Sequence, residues 1–167
     1  MAFKKLYILV MLGILALQFN SCGYYSFRGS IPSEIKKIAV PLFDDNTSYP
    51  GVRDDLTNQV IDAFILDNTL QVVDESEADL LLTGTILSIS ERAAIVTTGE
   101  EVQQFEVYVN VKVKCEELKT GKVWWEKAVR RFGTMDQAGT QDERDAAIAV
   151  ALEEITQDIL NNTLANW

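Results

Sequence analysis

Apolar residues recur at the spacing of an α-helix in two stretches of the chain. In residues 52–67 one apolar side chain falls every four positions, namely Val52, Leu56, Val60 and Phe64. Residues 141–165 carry a similar stripe, formed by Ile148, Leu152, Ile155 and Ile159. Both stretches have acidic residues in their first turn, which suits the positive end of the helix dipole. The pattern therefore predicts two amphipathic helices.

Strand-like segments precede the first helix and separate it from the second. They are short, rich in β-branched and apolar residues, and lie at 35–43, 70–73, 80–90, 102–117 and 123–132. A tight hairpin turn is predicted at 119–122, where a glycine lies between polar residues. Strand, helix and strand over residues 35–73 favour a parallel pair of strands with the helix on one face.

These elements predict an α/β (α+β layered) fold, in which two helices pack on one face of a mixed four- to five-stranded sheet. The other face is then left to solvent or to a partner. The pattern leaves open the strand order, including whether residues 70–73 form an edge. The chain has 167 residues, of which 47% are hydrophobic. This size suits one domain, which we assign to residues 35–167.

The formal net charge of −10 argues against one class of partner. A nucleic-acid-binding protein needs a basic surface, so we expect no nucleic-acid partner. A local basic patch can still act on an anionic ligand, because exposed charges more than ~8 Å apart are largely screened at physiological salt.

The N-terminal residues have the pattern of a lipoprotein signal peptide. Lys4 and Lys5 precede an apolar run at residues 6–19, which is shorter than the roughly 20 residues that cross a bilayer as a helix. Ser21 and Cys22 then form a cleavage site for a lipoprotein signal peptidase. We expect residues 1–21 to be removed, Cys22 to be acylated (with palmitate, for example), and residues 22–34 to form an extended lead. The alternative is an ordinary signal peptide in which Cys22 is incidental.

A distinctive series of residues follows this site. It consists of Cys22-Gly23-Tyr24, Phe27-Arg28-Gly29, Ile31-Pro32, Lys37-Ile38-Ala39-Val40-Pro41-Leu42-Phe43 and Asn46-Thr47. The series resembles the start of mature LptE proteins, the lipoproteins of the outer-membrane lipopolysaccharide-assembly machinery. The similarity continues more weakly through residues 78–86 and the C-terminal helix.

The resemblance implies a function and a location. The protein would partner the LptD β-barrel translocon of the Gram-negative outer membrane, assist its assembly, plug it and handle lipopolysaccharide for insertion into the outer leaflet. Its lipid anchor would hold it on the outer membrane, facing the periplasm. Two alternatives stay open for an envelope lipoprotein of similar fold. One is regulation of a peptidoglycan synthase, and the other is a subunit of a secretion pore.

Residues for catalysis are almost absent. The chain has no histidine, which removes the commonest general base and zinc ligand. It also lacks a phosphate-binding glycine loop and a nucleophile elbow. We therefore predict that the protein is not an enzyme and expect no cofactor and no metal site. Cys115 lies on the apolar face of a strand, as a buried, inert thiol.

The candidate binding residues lie in the last three long strands. If the valines at 107–113 face the helices, then Tyr108, Lys112 and Lys114 point the other way. Lys127, Arg130 and Arg131 follow on the next strand and Arg92 ends the preceding one, so these side chains could form a basic strip. We expect the strip to meet phosphates or carboxylates of lipopolysaccharide. The alternative is a solvated face with cross-strand ion pairs to nearby glutamates.

Three aromatic residues are candidates for the partner interface. Trp124 and Trp125 are neighbours, so one indole points outward if the strand is regular. Tyr108 is expected on the same outward face. The alternative is that both tryptophans are shielded, either by a bulge in the strand or by the ends of the helices.

Overall fold

The computed structural model describes residues 31–95, 104–135 and 139–165. The elements, in chain order, are β1 (Lys37–Ala39), β2 (Asp44–Asp45), α1 (Val52–Asp67), β3 (Gln71–Val72), a short 3₁₀ turn (Glu75–Glu77), β4 (Leu80–Ile95), β5 (Gln104–Glu117), β6 (Val123–Met135) and α2 (Gln141–Ala165). The predicted signal peptide, Cys22 and the lead up to residue 30 lie outside the described residues.

The sheet is mixed and open, as the sequence predicts. Its strand order is β3-β1-β4-β5-β6, and β2 adds a short parallel pairing to β4. β1 is parallel to both β3 and β4, whereas β5 is antiparallel to both of its neighbours, β4 and β6. The predicted parallel pair around α1 is confirmed, and β3 lies at the edge of the sheet.

The core explains why both helices pack on one face. Alternate residues of β5, from Val107 to Cys115, are fully buried. The apolar stripe of α1 packs against the same core, as does the stripe of α2, whose Leu152, Ile155 and Ile159 are buried. Burial of these stripes removes apolar surface from water and supplies the main driving force for the layered arrangement.

Gly133 allows α2 to approach β6 closely. A Cβ atom at this position would lie 2.0 Å from the carbonyl oxygen of Ala147, on the facing helix. Only glycine leaves room for this contact, because the obstructing atom belongs to helix backbone rather than to a flexible side chain.

Several strand boundaries differ from the prediction. The first strand pairs only over Lys37–Ala39, because Pro41 has no N–H to donate to a ladder. β4 continues to Ile95, beyond the predicted end at residue 90, and β6 continues to Met135, beyond the predicted end at residue 132. Both helices have the predicted bounds. None of the helices in the described ranges is both long enough and apolar enough to cross a membrane.

Candidate functional site: the open face of the sheet

The face of β4, β5 and β6 that points away from the helices is the candidate site. Strand register places three rows across this face. Ser88, Asn110 and Arg130 form one row, and Ser90, Tyr108 and Phe132 form the next. The third row aligns Arg92, Glu106 and Thr134. Cationic and aromatic side chains from three strands therefore meet near Tyr108.

We call the group formed by Arg92, Glu106, Tyr108, Arg130 and Phe132 the Tyr108 cluster. The guanidinium carbon of Arg130 lies 3.9 Å from the centre of the Tyr108 ring, and that of Arg92 lies 5.8 Å from it. The Phe132 ring is tilted against Tyr108, with 5.2 Å between ring centres. Both guanidinium groups are within the range of a cation–π interaction.

The Tyr108 hydroxyl donates a hydrogen bond to the Glu106 carboxylate, over 2.5 Å. This bond to the carboxylate raises the pKa of Tyr108 above its ordinary value, with smaller contributions from desolvation and from the charge of Glu106; Arg130 and Arg92 act in the opposite direction. Tyr108 is therefore a neutral phenol at neutral pH. Neither Arg92 nor Arg130 forms an ion pair with any residue that the structure describes.

Lys112 and Lys114 share the open face but are neutralised. The Lys112 ammonium group lies 2.6 Å from the carboxylate of Glu126 on β6, and Lys114 pairs with Glu116. The hydrogen bond from Lys112 holds the pKa of Glu126 below its usual value. For these two lysines the structure therefore agrees with the alternative prediction, a solvated face on which the lysines pair with nearby glutamates.

Lys127 and Arg131 lie on the helix side of β6, away from the other basic residues. Arg131 lies 2.6 Å from Asp158 and 3.8 Å from Glu154, both on α2. Lys127 donates a hydrogen bond of 2.6 Å to Asn162 on the same helix. Strict alternation along β6 separates Arg130 from its neighbour Arg131. The predicted basic strip is therefore divided between two faces.

A bulge accommodates the two tryptophans. Cys115 is opposite Trp125 while Glu116 is opposite Val123, so Trp124 is an extra residue in β6. Trp125 is only 6% exposed, and Trp124 is partly buried against the core. The outward aromatic surface is provided instead by Tyr108 and by Phe132, which is 40% exposed. Sequence analysis missed Phe132, although it lies two positions from Arg130 on the same face.

Asp79 and Cys115 lie outside the Tyr108 cluster, and the contacts of each are those of a structural residue. Asp79 accepts hydrogen bonds from the backbone N–H groups of Lys36 and Lys37 and from the Lys119 ammonium group. Chiefly through Lys119, these bonds lower the pKa of Asp79. Burial raises the pKa of the Cys115 thiol to about 12. Within residues 31–95, 104–135 and 139–165, no group of three or more potential metal ligands is close enough to hold a metal ion.

Solved structures with a similar fold come from several bacteria. A hypothetical protein of Chlamydia trachomatis has a TM-score of 0.59 at 7% identity, over 77% of this chain and 95% of that one. A minor lipoprotein of Acinetobacter baumannii has a TM-score of 0.54 at 14% identity, over 80% and 95% of the two chains. The PelC dodecamer of Paraburkholderia phytofirmans has a TM-score of 0.53 at 16% identity, over 82% and 95%. At these identities the similarity establishes the fold alone.

Sequence comparison identifies the family. No curated protein sequence matches the chain. A family model does match, over residues 35–163, and its description is LptE, lipopolysaccharide-assembly. The match spans α1, α2 up to residue 163 and every strand of the sheet. The chain therefore belongs to the LptE family of lipopolysaccharide-assembly proteins.

Proposed function

We propose that this protein is an outer-membrane lipoprotein that partners an LptD-type β-barrel translocon. It is anchored through acylated Cys22 and faces the periplasm. In this role it assists assembly of the barrel, plugs its lumen and handles lipopolysaccharide for insertion into the outer leaflet. Family membership supports the assembly role, and the signal-peptide pattern around Cys22 supports the anchor.

The proposed binding of lipopolysaccharide is based on the pair of arginines beside Tyr108. Arg130 holds its guanidinium carbon over the ring, 3.9 Å from the ring centre, and a guanidinium group carries several N–H donors that can bind an anion. Arg92 lies at the same ring, and neither arginine is neutralised by a described carboxylate. Phosphate groups on the lipid head and inner core of lipopolysaccharide are ligands that such a pair binds, through charge-assisted hydrogen bonds.

The charge distribution is compatible with a barrel partner. The chain is acidic overall, with a net charge of −10, while the Tyr108 cluster presents two cations beside Glu106. The lumen of an outer-membrane barrel is polar and water-filled, so it tolerates a charged domain.

Affinity purification tests the partnership. Tagged full-length protein is purified from detergent-solubilised membranes at high salt, and the bound proteins are identified by mass spectrometry. The proposal predicts a near-stoichiometric barrel of the LptD type, together with lipopolysaccharide. A variant with Arg92→Glu and Arg130→Glu should retain the barrel and lose most of the lipopolysaccharide. Recovery of a peptidoglycan synthase without the barrel would contradict the proposal.

A second candidate is a subunit of a ring-forming envelope pore. It is favoured by the fold similarity to PelC, whose solved structure is a dodecamer. Native mass spectrometry of the purified protein separates the two functions. A ring of the protein alone supports the pore, whereas a one-to-one complex with a barrel supports the translocon.

A further inference from the structure

A groove runs between α1 and α2 on the outer side of the helix layer. Its volume is about 460 Å³, and all of its lining residues come from these two helices. The Tyr108 cluster is on the opposite face of the sheet, so the groove is a separate surface. Both surfaces can therefore be occupied at the same time.

The two walls of the groove have the spacing that receives another helix. The lining residues of α1 fall at positions 59, 62, 63 and 66, and those of α2 at 149, 150, 153, 156 and 157. Steps of three and four residues form one stripe along each helix. Two parallel stripes of this kind form the groove into which an amphipathic helix packs in helix-in-groove recognition.

The groove carries exposed apolar side chains on both of its walls. Leu66 is 85% exposed and Val150 is 49% exposed, although both are large apolar residues in regular helices. Thr156 also lines the groove and is only 4% exposed. Its hydroxyl has no hydrogen-bond partner among the described residues. A buried hydroxyl without a partner is a cost that a bound group can remove.

The charged residues that line the groove are all acidic. Asp62 and Glu153 line it, one from each helix, and no lysine or arginine lies among the lining residues. In the described part of the chain, neither carboxylate forms an ion pair. An apolar groove with acidic walls complements a helix that has apolar residues on one face and cations beside them.

We propose that this groove docks a basic, amphipathic helix of a polypeptide partner. Apolar side chains of that helix contact Leu66 and Val150, its lysines or arginines face Asp62 and Glu153, and one of its polar groups bonds the Thr156 hydroxyl. The inference does not depend on the barrel partnership, because it concerns the other side of the molecule.

Photocrosslinking in cells that express the full-length protein tests the docking site. A benzophenone amino acid is placed at position 66, at position 150 or, as a control, at position 118, where exposed Leu118 lies in the β5–β6 turn. The expected result is an adduct from positions 66 and 150 but not from 118. Mass spectrometry of the adduct should identify a peptide with apolar residues at helical spacing and several cations.

Charge reversal at the groove tests the basic character of the docked helix, and a charge reversal elsewhere on the chain is the matched control. Asp62→Lys with Glu153→Lys should lower the yield of the adduct at position 66 at least tenfold. Glu34→Lys with Glu75→Lys makes the same change in net charge away from the groove and should leave the yield unchanged. Circular dichroism confirms that each variant is folded.

Several outcomes would overturn the inference. They are the absence of an adduct, an adduct with lipid or with a second copy of this chain, a crosslinked peptide without cations, or equal losses in both charge-reversal variants. Co-purification of the barrel is measured in the same cells. A retained barrel without a groove adduct overturns only this inference, whereas a groove adduct to a basic helix without the barrel overturns only the proposed partnership.

Discussion

Arg130 of β6 stacks over the ring of Tyr108 of β5, with 3.9 Å between its guanidinium carbon and the ring centre. The contact joins neighbouring strands on the face of the sheet that the helices leave open. It fixes the orientation of a cation that has no described carboxylate partner. In the proposed function, this arrangement prepares Arg130 to bind a phosphate group.

Removal of the Tyr108 ring should weaken lipopolysaccharide binding more than removal of its hydroxyl. Tyr108→Ala eliminates the surface on which Arg130 stacks, whereas Tyr108→Phe keeps it. An exposed cation–π contact contributes roughly 0.5–1 kcal/mol, so we expect a two- to fivefold loss of affinity for the alanine variant. The phenylalanine variant should remain within about twofold of the unmodified protein. Fluorescence competition with purified lipopolysaccharide measures both, and equal losses would show that the ring is not what positions Arg130.

A side chain at position 133 should push α2 away from the sheet. Gly133→Ala places a methyl group 2.0 Å from the carbonyl oxygen of Ala147. Overpacking typically costs about 1–3 kcal/mol, and backbone obstructs the methyl group here, so we expect a loss near the upper end of that range. Urea unfolding measures it, with exposed Thr134→Ala as the control at under about 0.5 kcal/mol. An unchanged midpoint for Gly133→Ala would refute the close approach.

Asp79 should contribute to stability in a pH-dependent way. Its pKa is lowered in the folded protein, so its contribution is present above the unfolded pKa of about 3.9 and is lost as the pH falls through the lower folded value. Asp79→Ala leaves two backbone N–H groups without this acceptor and should cost about 1–3 kcal/mol at pH 7. The difference from the unmodified protein should shrink as the pH falls below about 4.

Urea unfolding at pH 7 and at pH 3 checks the Asp79 prediction. Asp74→Ala is the control, because Asp74 is exposed and lies five residues earlier in the chain. A penalty for Asp79→Ala that is equal at both pH values would contradict the ionic contribution.

Cys115 should not react in the folded protein. It is fully buried, and burial raises its pKa to about 12, so the thiolate is scarce at pH 8. In a Cys22→Ser variant, Cys115 is the single thiol, since the chain has two cysteines. Ellman's reagent should label it only after denaturant is added. Rapid labelling in native buffer would mean that the core opens at β5.

Much of the fold can be predicted from the sequence because the periodicities are strong. The stripes of α1 and α2 define helices with the predicted bounds, and the valine alternation of β5 identifies the buried face. The short strands are less predictable. β1 stops before Pro41, and β2 exists only because two residues happen to align with β4, a relationship that no local pattern contains.

The candidate site was predicted less completely. Alternation along β6 places Lys127 and Arg131 against α2, on the opposite side from Arg130, so the three residues do not form one basic strip. The bulge at Trp124 depends on the register between β5 and β6, which sequence alone does not specify. The pairing of Lys112 with Glu126 depends on the same register. Of the predicted basic strip, the candidate ligand-binding residues are therefore reduced to Arg92 and Arg130 beside Tyr108.

The most direct test of the account compares two double variants in lipopolysaccharide binding. Arg92→Ala with Arg130→Ala removes two cations of the open face that form no ion pair with a described residue, while Lys112→Ala with Lys114→Ala removes two paired cations from the same face. Hydrogen bonds from charged groups contribute roughly 1.5–3 kcal/mol each, so the arginine variant should bind at least about tenfold more weakly. The lysine variant should stay within about threefold. Equal losses in the two variants, or full binding by the arginine variant, would contradict the assignment of Arg92 and Arg130 as the lipopolysaccharide contact.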